Sequence, residues 1–416
     1  MIKKILILIL IIIACSHTAR SQIYRPVNVA TLSDSAQISI LTSAPWNKEV
    51  YAVFGHSAIR IKDVGQNQEY IDIVYNYGIF DFKKPNFAYR FMAGETDYLV
   101  AGIYYDYYIT EYEERGENVY EQVLNLNKDE KQKIWAYLIN NAQPQNRVYR
   151  YNIFFNNCTT KLIDILEQSI DSKIIFPTDT NPKTFRELVH EHVNKQPWTQ
   201  FGIDLIIGSK ADRKTTIREK MFLPVYAMNI LDKSYIQLQD GTQKPLVLSN
   251  TIIVKENPEN NISQNNFFKS PLFASIIILI LASLASFYSY KQRRIIVTIF
   301  DFLLFLSAGI AGCIIFFMIT ISVHPCTSPN WNIVWLNPLL LVAAFLFFVK
   351  SHLKCIYYYH FINFAVLILF LLAWCLIPQQ LEIAFIPFIL AICLRSGMTV
   401  LRQKKLKQIA ADKFAK

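Results

Sequence analysis

Between residues 22 and 270 the sequence has a single cysteine, Cys158. That scarcity excludes an internal disulfide from the whole stretch. A lone thiol in an oxidising compartment is a liability unless it is buried or used. Charge is scarce as well: 18% of the 416 residues are charged, against 52% hydrophobic. With a mean hydropathy of +0.22, the chain is too apolar for a soluble globular protein and too charged to lie wholly in a bilayer. One soluble and one membrane domain fit best. No internal repeat and no low-complexity tract is present. The net charge of +10 would suggest nucleic acid in a soluble protein, but several basic residues sit at the ends of apolar segments, where they set orientation. A nucleic-acid partner is therefore discounted.

The chain opens with two lysines, an apolar run from Ile5 to Ala14, then small and polar residues. That is the shape of a secretory signal over residues 1–21, with Ala19-Arg20-Ser21 before the cut. Ile12-Ile13-Ala14-Cys15 is the alternative, a lipoprotein signal with bulky Ile13 where a small residue is preferred. Either reading sends the next domain, 22–255, out of the cytoplasm. A polar linker, 256–270, leads into a membrane domain at 271–402. Five apolar segments lie there: Leu272–Tyr290, Ile295–Ser322, Ile333–Val349, Ile356–Ile377 and Ile383–Leu401. Each approaches the ~20 residues that span a hydrocarbon core. The connections after the second and fourth have no Lys or Arg; those after the first and third, and the 403–416 tail, are basic. By the positive-inside rule this predicts N-out, C-in topology. Arg395 interrupts the fifth segment and is expected to snorkel to the cytoplasmic end.

The soluble part reads as mixed α and β. Strands are predicted at Ile38–Thr42, at Val50–Phe54 continuing into Ser57–Ile61 across Gly55-His56, at Tyr70–Tyr77, and at Val148–Phe155. The second and third of these resemble a hairpin. Asn127-Lys128-Asp129-Glu130 is a capping-box pattern that starts a helix running to Asn141. Asn156-Asn157 turns into another helix that begins at Cys158. Leu162, Ile165 and Leu166 share a face of that helix with the thiol. A helix N-terminus carries unpaired N–H groups and partial positive charge, and both stabilise a thiolate. A nearby imidazole would complete an ion pair and move the proton. His56 is the natural candidate. Taken alone, Cys158 equally suits a buried small hydrophobe, and His56 a satisfied core histidine. The ordered pair, strand histidine and then strand–turn–helix cysteine, is more specific.

Phe54-Gly55-His56-Ser57-Ala58-Ile59-Arg60, with Phe155-Asn156-Asn157-Cys158-Thr159-Thr160, resembles the circularly permuted papain-like fold of lecithin:retinol acyltransferase relatives and some NlpC-type hydrolases. The chain is more similar still to the Bacteroidetes lipoprotein N-acyltransferase family, Lnb. Tyr75 through Phe82, and His324-Pro325 through Asn330-Trp331-Asn332, also resemble that family's motifs. The resemblance implies an α+β permuted papain-like thiol domain in the periplasm, followed by an all-α five-helix transmembrane domain in the inner membrane. It implies acyl transfer from a phospholipid donor, through a Cys158 thioester, to the α-amine of a lipoprotein acceptor. No cofactor and no metal is expected. Permuted relatives often carry a second catalytic histidine, and Tyr70–Tyr77 has none.

The imidazole needs an orienting partner. A hairpin turn centred near residues 65 and 66 would set His56 opposite residues 75 and 76. This favours Asn76, with Asp72 as the alternative. Asn157 is read either as a donor to an oxyanion or as an N-cap. His324, Asn330, Trp331 and Asn332 form either an ordinary connector or a substrate-binding loop. His190-Glu191-His192 places its histidines on different helix faces and reads as a solvated helix rather than a metal site. Tyr104 through Tyr108 reads as packing or a membrane-proximal aromatic surface. Two rival functions stay open: a membrane-anchored NlpC-type cell-wall endopeptidase, and a non-enzymatic membrane assembly protein with an outer binding domain.

Overall fold

A computed structural model describes residues 23–24, 31–46, 49, 52–64, 70–81, 83–257, 266–291, 295–349 and 354–414. The expected signal at 1–21 lies outside these residues.

Eight strands form one antiparallel sheet: β1 (Ile23–Tyr24), β2 (Gln37–Ser43), β3 (His56–Val64), β4 (Tyr70–Ile79), β5 (Asp97–Tyr104), β6 (Val119–Leu124), β7 (Val148–Arg150) and β11 (Val247–Val254). The order is β1-β5-β4-β3-β2-β6-β11, with β7 also on β5. β8 (Lys173–Ile175), β9 (Tyr235–Gln237) and β10 (Gln243–Pro245) make a small second sheet. The helices of this part are α1 (Phe87–Ala93), α2 (Tyr105–Arg115), α3 (Lys128–Asn141) and α4 (Cys158–Ser169), interspersed with strands, and then α5 (Phe185–Val193), α6 (Pro197–Ile206), α7 (Ile217–Lys220) and α8 (Pro224–Leu231) in succession.

The strand period of two divides the apolar residues between two cores. Ile38, Ile40, Ile59, Ile61, Ile73 and Tyr75 meet Ile134 and Trp135 of α3 and Leu162 and Leu166 of α4. Leu41, Ala58 and Val74 point the other way, onto Tyr108 and Tyr112 of α2. On that second face Arg60 is held by Asp72 at 2.6 Å and by Glu121 at 3.1 Å, with its guanidinium over the Tyr105 ring. The Tyr104–Tyr108 run is thus partly core, since Tyr108 is buried while Tyr104 and Tyr107 remain exposed. The Asn127 capping box and the helix to Asn141 form as predicted.

Two strand expectations need correction. Ala52–Phe54 is a turn, and β3 begins only at His56. Val148–Phe155 stops at Arg150, because Asn152 Oδ1 accepts from the N–H groups of Phe154 and Phe155 and turns the chain.

The C-terminal part is helical: α9 (Pro271–Lys291), α10 (Ile295–Thr320), α11 (Leu339–Leu346), α12 (Lys354–Leu372) and α13 (Phe385–Phe414). Among the described residues four helices are long and apolar enough to cross a membrane. The five expected segments are therefore not five continuous helices. The third is a 3₁₀ turn at Trp331–Val334 followed by the eight residues of α11, with Asn337-Pro338 between them. It packs into α10 at two glycines. A Cβ on Gly309 would lie 2.3 Å from Leu341 N, and one on Gly312 would lie 2.6 Å from Leu336 O. Gln379, just beyond α12, bonds the N-terminal domain at Ile207 O, and the 19 residues of α12 extend about 28 Å. The tail expected at 403–416 continues α13 as far as Phe414.

Arg395 does not snorkel. It is buried between helices, bidentate to Asp301 of α10 at 2.6 and 3.0 Å, and it donates to Ser286 of α9 at 2.8 Å. Breaking such a pair strands a charge, whereas replacing both members need not destabilise. Asp301→Ala is expected to lower the stability of the detergent-solubilised protein by about 3–5 kcal/mol, and the double variant Asp301→Leu/Arg395→Met to recover most of that loss. Thermal unfolding followed by circular dichroism measures both. A double variant no more stable than Asp301→Ala would rule out the stranded-charge account.

Candidate active site

The head of α4 is built from its own first turn. Asn157 Oδ1 accepts from Thr159 N at 3.0 Å and Thr160 N at 2.9 Å, and Thr160 Oγ1 returns the bond to Asn157 N at 2.8 Å. That capping box fixes the helix start one residue before the thiol. Cys158 is therefore the first helical residue, where a backbone N–H has no intrahelical acceptor. Its side chain is buried, at 8% exposure.

The end of β3 meets this helix head. Gly55 has φ +79, and a Cβ there would lie 2.5 Å from Ser43 O, so only glycine allows the turn that delivers His56 onto the strand. The Thr159 hydroxyl donates to Ser57 Oγ at 3.1 Å and ties α4 to β3 beside the histidine. His56 Nε2 lies 3.1 Å from Asn76 Oδ1. An amide oxygen only accepts, so Nε2 carries the proton and Nδ1 is left for the thiol. Asn76 thus takes the position expected of an orienter, but through a different register. It pairs with Ala58 rather than lying opposite His56, and reaches the imidazole diagonally on the same face. Asp72 pairs opposite Lys62 and is committed to Arg60.

The thiol and imidazole titrate together. Burial alone raises the Cys158 pKa; the charge of His56, its hydrogen bond, the Ser57 backbone N–H and Thr159 outweigh this and bring the thiol down from 9.0 to about 7. Burial works against charging His56 too, and the Cys158 thiolate with Asn76 overcomes it, holding the imidazole above its ordinary value. Both shifts favour a thiolate beside an imidazolium at a helix N-terminus, an arrangement suited to nucleophilic attack and proton transfer.

The sequence reading missed the far wall of this site. Gly78, at φ +94 on β4, faces Tyr151, Cys158 and Tyr149: a Cβ there would lie 3.7 Å from the Tyr151 ring, 3.8 Å from Cys158 Cβ and 4.0 Å from the Tyr149 hydroxyl. That hydroxyl is buried with no hydrogen-bond partner among the described residues. A glycine inside an apolar strand was the available signal, since it marks a close approach.

Other candidates resolve differently. Asn157 Nδ2 donates to Ile153 O at 2.9 Å and to Phe222 O at 2.7 Å, so the amide has no proton left for an oxyanion; it is the N-cap. Asn330 and Asn332, expected as candidate substrate-binding groups, are turned inward. Both are buried, Asn332 completely, and they donate to the carbonyls that end α6: Asn330 to Leu205 and Ile206, and Asn332 to Asp204. Gln379 adds a bond to Ile207 O, and Asn332 Oδ1 accepts from Trp335. Trp331 is partly exposed and donates its N–H to Gln379. His324 Nε2 donates to Phe91 O at 2.7 Å. The outer loop thus docks the membrane domain onto the α+β domain. The 190–192 helix is not merely solvated, because α5 buries Phe185, Arg186, Leu188 and Val189, and His190 donates to Asp204 at 2.9 Å. Among the described residues no group of three or more His, Cys, Asp or Glu is arranged to hold a metal ion.

Two family models match this chain. Residues 27–191 match the Lnb N-terminal periplasmic domain, a span that includes His56, Asn76 and Cys158. Residues 262–407 match the Lnb transmembrane domain. No curated protein and no solved structure matches.

Two measurements follow from this geometry. Alkylation of Cys158 by iodoacetamide reports its thiolate and should rise with a midpoint near pH 7; in His56→Ala the imidazolium is gone while burial remains, so the midpoint should move to 9 or above. A midpoint unchanged in His56→Ala would dissolve the pair. At the docking face, Asn332→Ala leaves Asp204 O and the Trp335 N–H without partners and should cost about 1–3 kcal/mol of thermal stability in detergent. A loss below about 0.5 kcal/mol would mean that water replaces both bonds.

Proposed function

As the chain belongs to the Lnb family, we propose that it is a lipoprotein N-acyltransferase of the inner membrane, working through a Cys158 thioester with His56 as proton carrier and Asn76 as its orienter. The order of the histidine strand before the cysteine helix is read as a permuted papain-like arrangement. The observation that carries the proposal is the Cys158 thiol, brought to about pKa 7 beside His56, in a domain docked onto membrane helices through Asn330, Asn332 and Gln379.

The reaction runs in two halves. The Cys158 thiolate attacks the ester carbonyl of a phospholipid acyl chain. The oxyanion is met by the Cys158 N–H and, from the other wall, by the unpartnered Tyr149 hydroxyl. The tetrahedral species collapses, the C–O bond breaks, and the leaving alkoxide takes the proton of the His56 imidazolium. Lysophospholipid departs and the acyl group stays as a thioester. The α-amine of a diacylglyceryl-cysteine lipoprotein then attacks the thioester carbonyl and gives its proton to neutral His56. The C–S bond breaks, leaving an N-acylated lipoprotein and the original thiolate–imidazolium pair. Both substrates are lipid-anchored, and holding the thiol at the membrane face reduces the cost of their encounter.

Given labelled phospholipid and no acceptor, the wild-type protein should retain label that neutral hydroxylamine releases and that maps to Cys158. Cys158→Ser should not accumulate it, and lipoprotein N-termini in cells carrying only that variant should lack the amide-linked chain by mass spectrometry. His56→Ala should lose about 10²–10⁴-fold in rate, the usual contribution of general acid–base catalysis, with Asn76→Ala falling short of that loss. Full activity in Cys158→Ser, or label mapping to Cys326, would remove the mechanism.

A further inference from the structure

A continuous line of aromatic rings joins the thiol to the membrane helices, and nothing in the chemistry above uses it. Tyr151, which like Cys158 borders Gly78, stacks on Tyr98 with centroids 4.2 Å apart and planes at 23°. Tyr98 meets Phe80 at 5.1 Å, Phe80 stacks on Phe87 at 6.1 Å, and Phe87 stacks on Phe91 at 5.9 Å. Phe80 and Phe87 are half-buried and Tyr98 is buried, so the line is open toward its α1 end and closes over toward the thiol. At its far end α1 is exposed on its apolar side: Phe91 is 49% and Tyr89 52% accessible, and Met92 is exposed beside them.

The position of α1 decides what this surface meets. Tyr89 packs edge-on against Phe317 near the end of α10, at 5.7 Å. Val323 N donates to Ala93 O at 2.9 Å, and His324 holds Phe91 O. The short helix is therefore tied to the end of a helix long and apolar enough to cross a membrane, and the end of a span is where hydrocarbon gives way to headgroups. Lys83 and Lys84, both exposed, come just before it, and Arg90 lies within it, paired with Asp97 at 2.7 Å. Aromatic residues on one short helix, with two exposed lysines just before it, match an interfacial segment facing anionic headgroups.

We propose that α1 and the rings of Phe91, Phe87, Phe80, Tyr98 and Tyr151 form a track along which the acyl chain of a membrane phospholipid is drawn from the outer leaflet to Cys158. The occupant is a phospholipid acyl chain, because the track begins at a membrane helix and ends at the nucleophile. A peptide substrate approaching from water would have no use for its membrane end. The track rests on the acyl-transfer reading and supplies what that reading lacks, a route for a donor ester lying in a bilayer.

The test uses the full-length protein in nanodiscs of phosphatidylethanolamine and phosphatidylglycerol. Thioester formation on Cys158 is measured from bilayer phospholipid and, separately, from a water-soluble butyryl ester. For Phe91→Ser and Tyr89→Ser the ratio of the bilayer rate to the soluble rate should fall at least tenfold. Equal losses on the two donors would make α1 a structural support, and no loss on either would make the rings incidental packing; both overturn the track. In parallel, the fluorescence of Phe91→Trp should be quenched more by brominated acyl chains than by aqueous iodide. The reverse order would put α1 in water and overturn the track even with acyl transfer intact. Absence of a thioester from either donor in the wild type would instead sink the acyl-transfer reading, and the track with it.

Discussion

The carbonyls at the end of α6 are the joint on which the molecule turns. A helix leaves its last C=O groups without internal partners, and burying them unpaired is costly. Here Asn330, Asn332 and Gln379, all from the membrane domain, take the carbonyls of residues 204 to 207. Arg186, wholly buried, takes Ile207 O and Gly208 O from the other side while pairing with Asp204 and Asp212. Phe201 of the same helix packs on Phe385 and Phe388 of α13. The docking is thus specified by directional bonds and not by apolar contact alone, and it determines which face of the α+β domain lies on the bilayer.

Much of the N-terminal half was legible in the sequence because its signals are local. The Asn127 capping box, the helix starting at Cys158 and the burial of Leu162, Ile165 and Leu166 follow from spacing within a turn or two. The hairpin was legible only in part. The strands were found, but their register depends on how many residues the turn takes up, which composition does not encode. The expected pairing missed by two positions. Asn76 survived the error because a slip of two keeps a residue on its own face, where a slip of one would have turned it away from His56.

What could not be read depended on distant partners. Asn330 and Asn332 look the same as ligand-binding amides until the helix end they cap is known to lie 124 to 128 residues earlier in the chain. Asn157 was open between two roles, and only the carbonyls of Ile153 and Phe222 decide between them. The third apolar segment has the composition of a span. Its break at Asn337-Pro338 is tolerated because Gly309 and Gly312 admit its backbone into the side of α10, and hydropathy carries no trace of such a groove.

The pairing of Arg395 with Asp301 also bears on how the chain is made. The two residues are separated by 94 positions. At the usual 5–20 residues per second of synthesis, Asp301 leaves the ribosome roughly 5–20 s ahead of its partner. Asp301 is the seventh of the 26 residues of α10, and an unpaired aspartate inside an apolar helix disfavours insertion, the more so the nearer it lies to the helix centre. Until Arg395 arrives, the Asp301 carboxylate has no guanidinium to pair with, so the order of synthesis leaves an acid waiting in an apolar helix for a partner from α13.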